Sequence, residues 1–354
     1  MTPRLKTLVV GSRFGQVYAA GVAAAEHLEL VGVLGQGSRR SQALARHLQV
    51  PSFDALDQVP ADTRLACVAV GGAARGEQGP ALAQALMERG IDVLIEHPLL
   101  PQELHDVLRT ANRLQRRCLL NSFYPQLPCV ARFIELARQL HCQQGIRHID
   151  ASCAVQVSYA TLDVLAAVLE SVGPWSLDCV APPLSAWRDI SLVMAQVPVS
   201  LRVLNELAAN DDGRMQLLQR LSIATDSGTL LLASPHGPLL WIPAVRAPTE
   251  DADGLFDLFG PLASEPLPSE PLPCAEVLEA AAPDWAQVYR RIWPAAAARA
   301  VQPLITGAGL ARLQQRSVEV LGLWQQLTAA LGFPQQPPLT LPAASLAQAL
   351  EHAR

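Results

Sequence analysis

Through the first 125 residues, short apolar runs alternate with amphipathic stretches of about ten residues, and this alternation restricts the fold more than any other feature. Strand-length runs fall at residues 5–10, 30–34, 65–70, 92–95 and 117–121, with a shorter one at 49–53. Helix-length segments lie between them, at 14–27, 41–48, 80–89 and 101–115. Helices that return the chain to start another strand make βαβ units, so the strands run parallel.

After residue 145 the pattern changes. A long strand is expected over 147–157 and a helix over 159–169, then strands at 177–180, 222–224, 229–233 and 239–245. Asp226-Ser227-Gly228 and Ser234-Pro235-His236-Gly237 supply tight turns between them. Strands joined so closely are antiparallel. The expected class is therefore α/β, with a parallel sheet in an N-terminal domain (1–125) and an open antiparallel sheet in a C-terminal α+β domain (126–354). A length of 354 residues fits two cores. Proline density at 264–273 predicts an exposed extended loop. Helices are expected at 275–281, 286–298 and 309–331; the last places Leu310, Leu313, Val320, Leu321, Trp324 and Leu327 on one face, for packing onto the core.

Composition removes several function classes. With 27 basic and 32 acidic residues the chain has no basic stripe for nucleic acid. Its longest apolar runs are strand-length, short of the roughly 18 residues that suggest a membrane span. The N-terminus shows no export-signal core, so a cytoplasmic location is expected. Seven scattered cysteines without a C-x-x-C pair read as reduced thiols. No cluster has metal-ligand spacing, and no metal is expected.

In an open parallel sheet, ligands bind at the carboxyl ends of the strands. The first such loop, Gly11-Ser12-Arg13-Phe14-Gly15, resembles a dinucleotide fingerprint whose second and third glycines are displaced. Strand, glycine turn and helix start together suit a pyrophosphate, and the domain is read as Rossmann-type. The second loop holds Ser38, Arg39, Arg40 and Ser41 and no acid. Hydroxyls and guanidiniums suit a 2′-phosphate, so the expected cofactor is NADPH. Gly71, Glu96 and Pro98 end later strands on the same edge and complete the expected cofactor set.

Glu96-His97-Pro98 resembles the Glu-Lys-Pro motif of the glucose–fructose oxidoreductase family, with histidine in place of lysine. That family tends to carry an Asp and a His where this chain has Gln156 and Ala160. A closer resemblance is to the thiazolinyl imine reductases of siderophore biosynthesis. It rests on residues 10–18 and 37–41, Glu96-His97-Pro98-Leu99, Phe123-Tyr124-Pro125, residues 158–163 and residues 323–327. The resemblance implies NADPH-dependent reduction of a thiazoline C=N to a thiazolidine. It also implies a substrate held on a carrier-protein domain of a nonribosomal peptide synthetase.

Such chemistry needs a cofactor platform and a positioned acid. Tyr124 and His97 follow strands whose ends face the cofactor, and are the candidate catalytic residues. Tyrosine holds its proton at neutral pH, and histidine either donates directly or orients the donor. Tyr159 and Asp163 are candidates for the substrate pocket. The open sheet predicts a homodimer. Two other readings stay open: an NADP-dependent sugar or cyclitol dehydrogenase, and a cofactor-binding sensor without catalysis.

Overall fold

The computed structural model describes residues 3–72, 76–180, 185–208, 213, 215–245, 273–282 and 284–337. The chain begins β1 (Leu5–Val10), α1 (Gly15–Ala24), β2 (Leu28–Leu34), α2 (Arg39–Leu48), β3 (Ser52–Phe53), β4 (Leu65–Val68), α3 (Gly79–Glu88), β5 (Asp92–Glu96), α4 (Pro101–Leu114) and β6 (Cys118–Asn121). The six strands form one sheet in the order β3-β2-β1-β4-β5-β6. Every pair in it is parallel. Helices on both faces explain why β4 and β6 are buried along their whole length, and apolar but for Asn121, rather than alternating.

The second part comprises α5 (Pro128–Gln144), β7 (His148–Ala154), α6 (Ser158–Leu169), β8 (Trp175–Val180), β9 (Trp187–Met194), β10 (Val197–Leu204), β11 (Gln219–Ala224), β12 (Gly228–Leu232), β13 (Leu239–Pro243) and β14 (Glu276–Glu279). After these come α7 (Trp285–Gln287), a π-helical turn over Val288–Ile292, α8 (Trp293–Ala300), α9 (Gln302–Thr306) and α10 (Leu310–Leu331). The eight strands are ordered β14-β13-β12-β11-β7-β10-β9-β8. All neighbours are antiparallel except β7 and β10, which corrects a purely antiparallel expectation. Helix α6 is buried at every position, beneath one sheet face. The alternation along β10 leaves Pro198, Ser200 and Arg202 exposed on the other.

Three elements depart from the sequence expectation. Residues 275–281 are not helical, because Glu276–Glu279 pairs with β13, and that pairing overrides local helix preference. The β9–β10 hairpin turns through Ala195 and Gln196, both at positive φ (50° and 68°). That turn usually carries Asn-Gly, so its residues do not announce it. Helix α5 likewise has no counterpart in the expected elements. The proline-rich stretch, residue 273 apart, lies outside the described residues.

The C-terminal helices return to the first sheet. Gly21 of α1 leaves no room for a Cβ against the Pro294 carbonyl of α8. Arg117 donates to the carbonyls of Leu304 and Ile305, each at 2.7 Å, and Gln314 donates to the Cys118 carbonyl at 2.7 Å. The C-terminal helices are thereby fastened to α1 and to the start of β6. Among the described residues, no helix is long and apolar enough to cross a membrane. None of their His, Cys, Asp and Glu side chains cluster as a metal site.

Candidate cofactor cleft and active site

A cleft of about 590 Å³ opens at the carboxyl ends of β1, β2 and β3, with Gly11, Ser12, Gly35, Ser38, Asp54 and Glu77 in its walls. Gly11 has φ 94°, and a Cβ there would stand 2.7 Å from the Ala69 carbonyl oxygen, so the tight turn needs glycine. Phe14 precedes α1, and Gly15 opens it, buried. Arg13 is exposed beside them. Ser38 caps α2: its hydroxyl accepts from the Ser41 amide at 3.2 Å, and the Ser41 hydroxyl donates to the Ser38 carbonyl at 2.8 Å. Arg39 and Arg40 stand exposed on the first turn of that helix. Gly71 is buried, its amide donating to Glu77. A backbone bare of Cβ, the start of α1 and two serine hydroxyls fit a dinucleotide phosphate. Asp54, at the end of the two-residue β3, was not anticipated; its carboxylate lies 3.6 Å from where a Cβ on Gly37 would be.

Next to this cleft, a pocket of about 530 Å³ is walled by Glu96, His97, Tyr124, Phe14, Tyr289 and Trp293, among others. His97 Nδ1 lies 3.2 Å from the Asn121 carbonyl oxygen and 3.2 Å from Glu96 Oε1. A carbonyl can only accept, so Nδ1 carries a proton and Nε2 is the nitrogen left for another partner. Glu96 also accepts from the Tyr18 hydroxyl, and Asn121 Nδ2 donates to that hydroxyl at 2.6 Å. Burial, then the Glu96 charge, pushes the Tyr18 phenol well up, so it stays a donor to the carboxylate. The other end of the Asn121 side chain accepts from the Phe123 amide at 3.1 Å. Phe123 sits at φ 67°, a conformation rare outside glycine, and this bond helps hold it. The turn delivers Tyr124, which is 7% exposed. Burial, reinforced by the charge of Glu96, raises the Tyr124 phenol, which remains protonated and offers a hydrogen bond.

The remaining candidates stand behind the pocket wall. Tyr159 is fully buried and stacks under His97, with ring centroids 5.1 Å apart. Trp324 packs edge-on against Tyr159 and donates to Ser158 Oγ at 3.0 Å. Asp163 accepts from Ser122 Oγ at 2.5 Å and from Arg316 Nε at 2.7 Å. That carboxylate links α6 and α10 to the loop after β6. The carbonyl of Pro98 accepts from the Gly72 amide at 3.3 Å. The structure thus brings Arg13, Phe14, Glu96, His97 and Tyr124 to one pocket and leaves Tyr159 and Asp163 one layer behind. Sequence reasoning missed Trp285, Tyr289 and Trp293 in the wall. Their spacing of four, in a chain with only 5% aromatic residues, marks one helical face and could have revealed them.

Comparison with known proteins agrees with this geometry. Residues 5–122 match the oxidoreductase family described as having an NAD-binding Rossmann fold. That segment therefore carries the family's NAD(P)-binding fold. A search of curated proteins gives no match. Among solved structures, the chain resembles GenD2 from gentamicin A biosynthesis in complex with NAD, at TM-score 0.66 and 13% identity over 92% of this chain and 93% of that one. It also resembles UDP-N-acetylglucosamine 3-dehydrogenase from Acidithiobacillus ferrooxidans, at TM-score 0.64 and 15% identity over 92% and 97%. A third is a myo-inositol dehydrogenase from Corynebacterium glutamicum, at TM-score 0.62 and 15% identity over 92% and 96%. At these identities the likeness is one of fold. Two of the three are named for sugar or cyclitol dehydrogenation, and none is named for imine reduction.

Proposed function

We propose that this chain reduces the C=N bond of a thiazoline to a thiazolidine with NADPH, on an intermediate tethered to a carrier domain of a nonribosomal peptide synthetase. The observation that carries this reading is the pocket wall. Phe14, Phe123, Tyr124, Tyr289 and Trp293 line the pocket that His97 also lines, and their aromatic rings suit a flat unsaturated heterocycle. A polyol needs a hydrogen-bonding partner for each hydroxyl. The positions where sugar-acting relatives are expected to hold Asp and His carry Gln156 and Ala160. NADPH, when bound, supplies the hydride. Gly11, Ser12 and Ser38 would hold its phosphates, with Arg39 and Arg40 at the 2′ position. His97 in its doubly protonated form, with Nδ1 anchored on Asn121 and Glu96, passes its Nε2 proton to the imine nitrogen and is left neutral. Tyr124 donates a hydrogen bond that orients the ring.

A second reading, an NAD(P)-dependent sugar or cyclitol dehydrogenase, is favoured by the fold likeness to UDP-N-acetylglucosamine and myo-inositol dehydrogenases. Cofactor turnover with a thiazoline thioester, myo-inositol and UDP-N-acetylglucosamine separates the two. The imine reading expects turnover of the thioester alone, with a loss of about 10²–10⁴-fold in His97→Ala, the usual contribution of a general acid. Tyr124→Phe should lose less. Turnover of a sugar or cyclitol, with none of the thioester, would establish the second reading. Turnover of none of the three would leave the cofactor-binding sensor.

A further inference from the structure

We infer that a second cavity, beside the pocket at His97, binds the phosphate-bearing tail of the substrate that reacts there. The inference rests on taking the His97 pocket as the reaction centre. The cavity has a volume of about 700 Å³ and is walled by Trp187, Arg202, Ser152, Arg220, Gln219 and His236. It shares Gln216, Leu217, Leu218 and Trp285 with the His97 pocket, so one molecule could occupy both.

Strand register sets the charges. Arg202 on β10 and Arg220 on β11 both pair with Ser152 of β7, one from each side. All three side chains therefore stand in one row on the open sheet face. Strands about 4.8 Å apart put the two arginine Cα atoms about 10 Å apart, within reach of a single phosphate. Both arginines are exposed, and neither has an ion-pair partner among the described residues. Asp189 faces Arg202 in register, and Asp284 in the wall already accepts from the Gln287 amide at 2.6 Å. Asp150, two residues along β7 from Ser152, stands on the same face, so two guanidiniums and two uncommitted carboxylates share it, with the guanidiniums flanking Ser152 directly.

A buried polar group points the same way. Ser152 is 1% exposed, yet its Oγ lacks a hydrogen-bond partner among the described residues. Such atoms are uncommon in folded proteins. An unsatisfied hydroxyl flanked by two guanidiniums suits a phosphate ester. Two molecules offer that chemistry: the phosphopantetheine arm of a carrier domain and the diphosphate of a sugar nucleotide.

The test is calorimetric titration of the full chain, saturated with NADP⁺ so that the cofactor cleft is filled. The probes are 4′-phosphopantetheine against pantetheine, and UDP against uridine. At least one phosphorylated probe should bind about tenfold or more tighter than its dephosphorylated partner, the scale of one charge-assisted contact. Which pair shows the difference identifies the source. Arg202→Ala/Arg220→Ala should abolish the difference while leaving NADP⁺ affinity and melting temperature unchanged. Equal binding within both pairs in the wild type would overturn the inference without any variant. So would a difference that survives the double substitution. Phosphate-selective binding without thiazoline turnover would uphold this cavity while removing the imine reading; thiazoline turnover with equal binding within both pairs would do the reverse.

Discussion

At the scale of single residues, the cofactor cleft sets opposing charges near one ribose. Arg39 and Arg40 stand on the first turn of α2, where the helix N-terminus adds its own attraction for an anion. Asp54 enters the same cleft from β3 and suits a ribose hydroxyl rather than a 2′-phosphate. The arginines were visible in the sequence because they directly follow a strand end. Asp54 was not, because a strand of two residues gives too little pattern to place the residue after it. Arg39→Ala/Arg40→Ala should weaken NADPH by about tenfold or more per lost phosphate contact and leave NADH nearly untouched. Asp54→Asn should shift the preference the other way. Dissociation constants for both cofactors check this, and an unchanged NADPH-to-NADH ratio in the double variant would count against a 2′-phosphate site at α2.

At the scale of elements, legibility followed burial. Strands β1, β4, β5 and β6 are apolar runs, and their ends bring Gly11, Glu96, His97 and Tyr124 within sight of one another. Strands β9 and β10 alternate in a form that sequence could have shown, but the Ala195-Gln196 turn hid the break between them. The helix carrying the wall from Trp285 to Trp293 was legible, but the strand ends it meets lie far away in the sequence. His236 packs against Trp285 and Trp293 of that wall, and burial lowers its pKa. A lowered folded value means that the unfolded chain binds the proton more readily. The contribution to stability is therefore present above the histidine reference value of about 6.5 and lost as pH falls through the lower folded value. Melting curves at several pH values should show the wild type losing more stability on acidification than His236→Gln. Parallel curves would mean that His236 is protonated in place without cost.

At the scale of the whole molecule, the chain crosses between its sheets more than once. The substrate-side wall comes from residues far along the sequence, while the acids and the cofactor turn come from its first third. No local pattern could announce that junction, which depends on α8 seating on Gly21 and on Arg117 holding the carbonyls of α9. Among the described residues, α5 and α6 pack on one face of the second sheet. Two regions of its other face matter here. One carries the row of Arg202, Ser152 and Arg220; the other, on β12 to β14, sets Leu231, Leu240 and Val277 side by side in register, with Ile242 nearby. Val277 is 63% exposed, and an apolar row left in water is costly. A second copy related by a two-fold axis would cover it with the same residues, the usual geometry of a homodimer. Light scattering at micromolar concentration should then give about twice the 38.0 kDa of one chain. Leu240→Glu/Val277→Glu should return the mass to that of one chain without changing the circular dichroism spectrum, because both side chains project from the sheet surface. A wild-type mass of 38.0 kDa would exclude the dimer. A double variant that remains dimeric would move the interface away from β12 to β14.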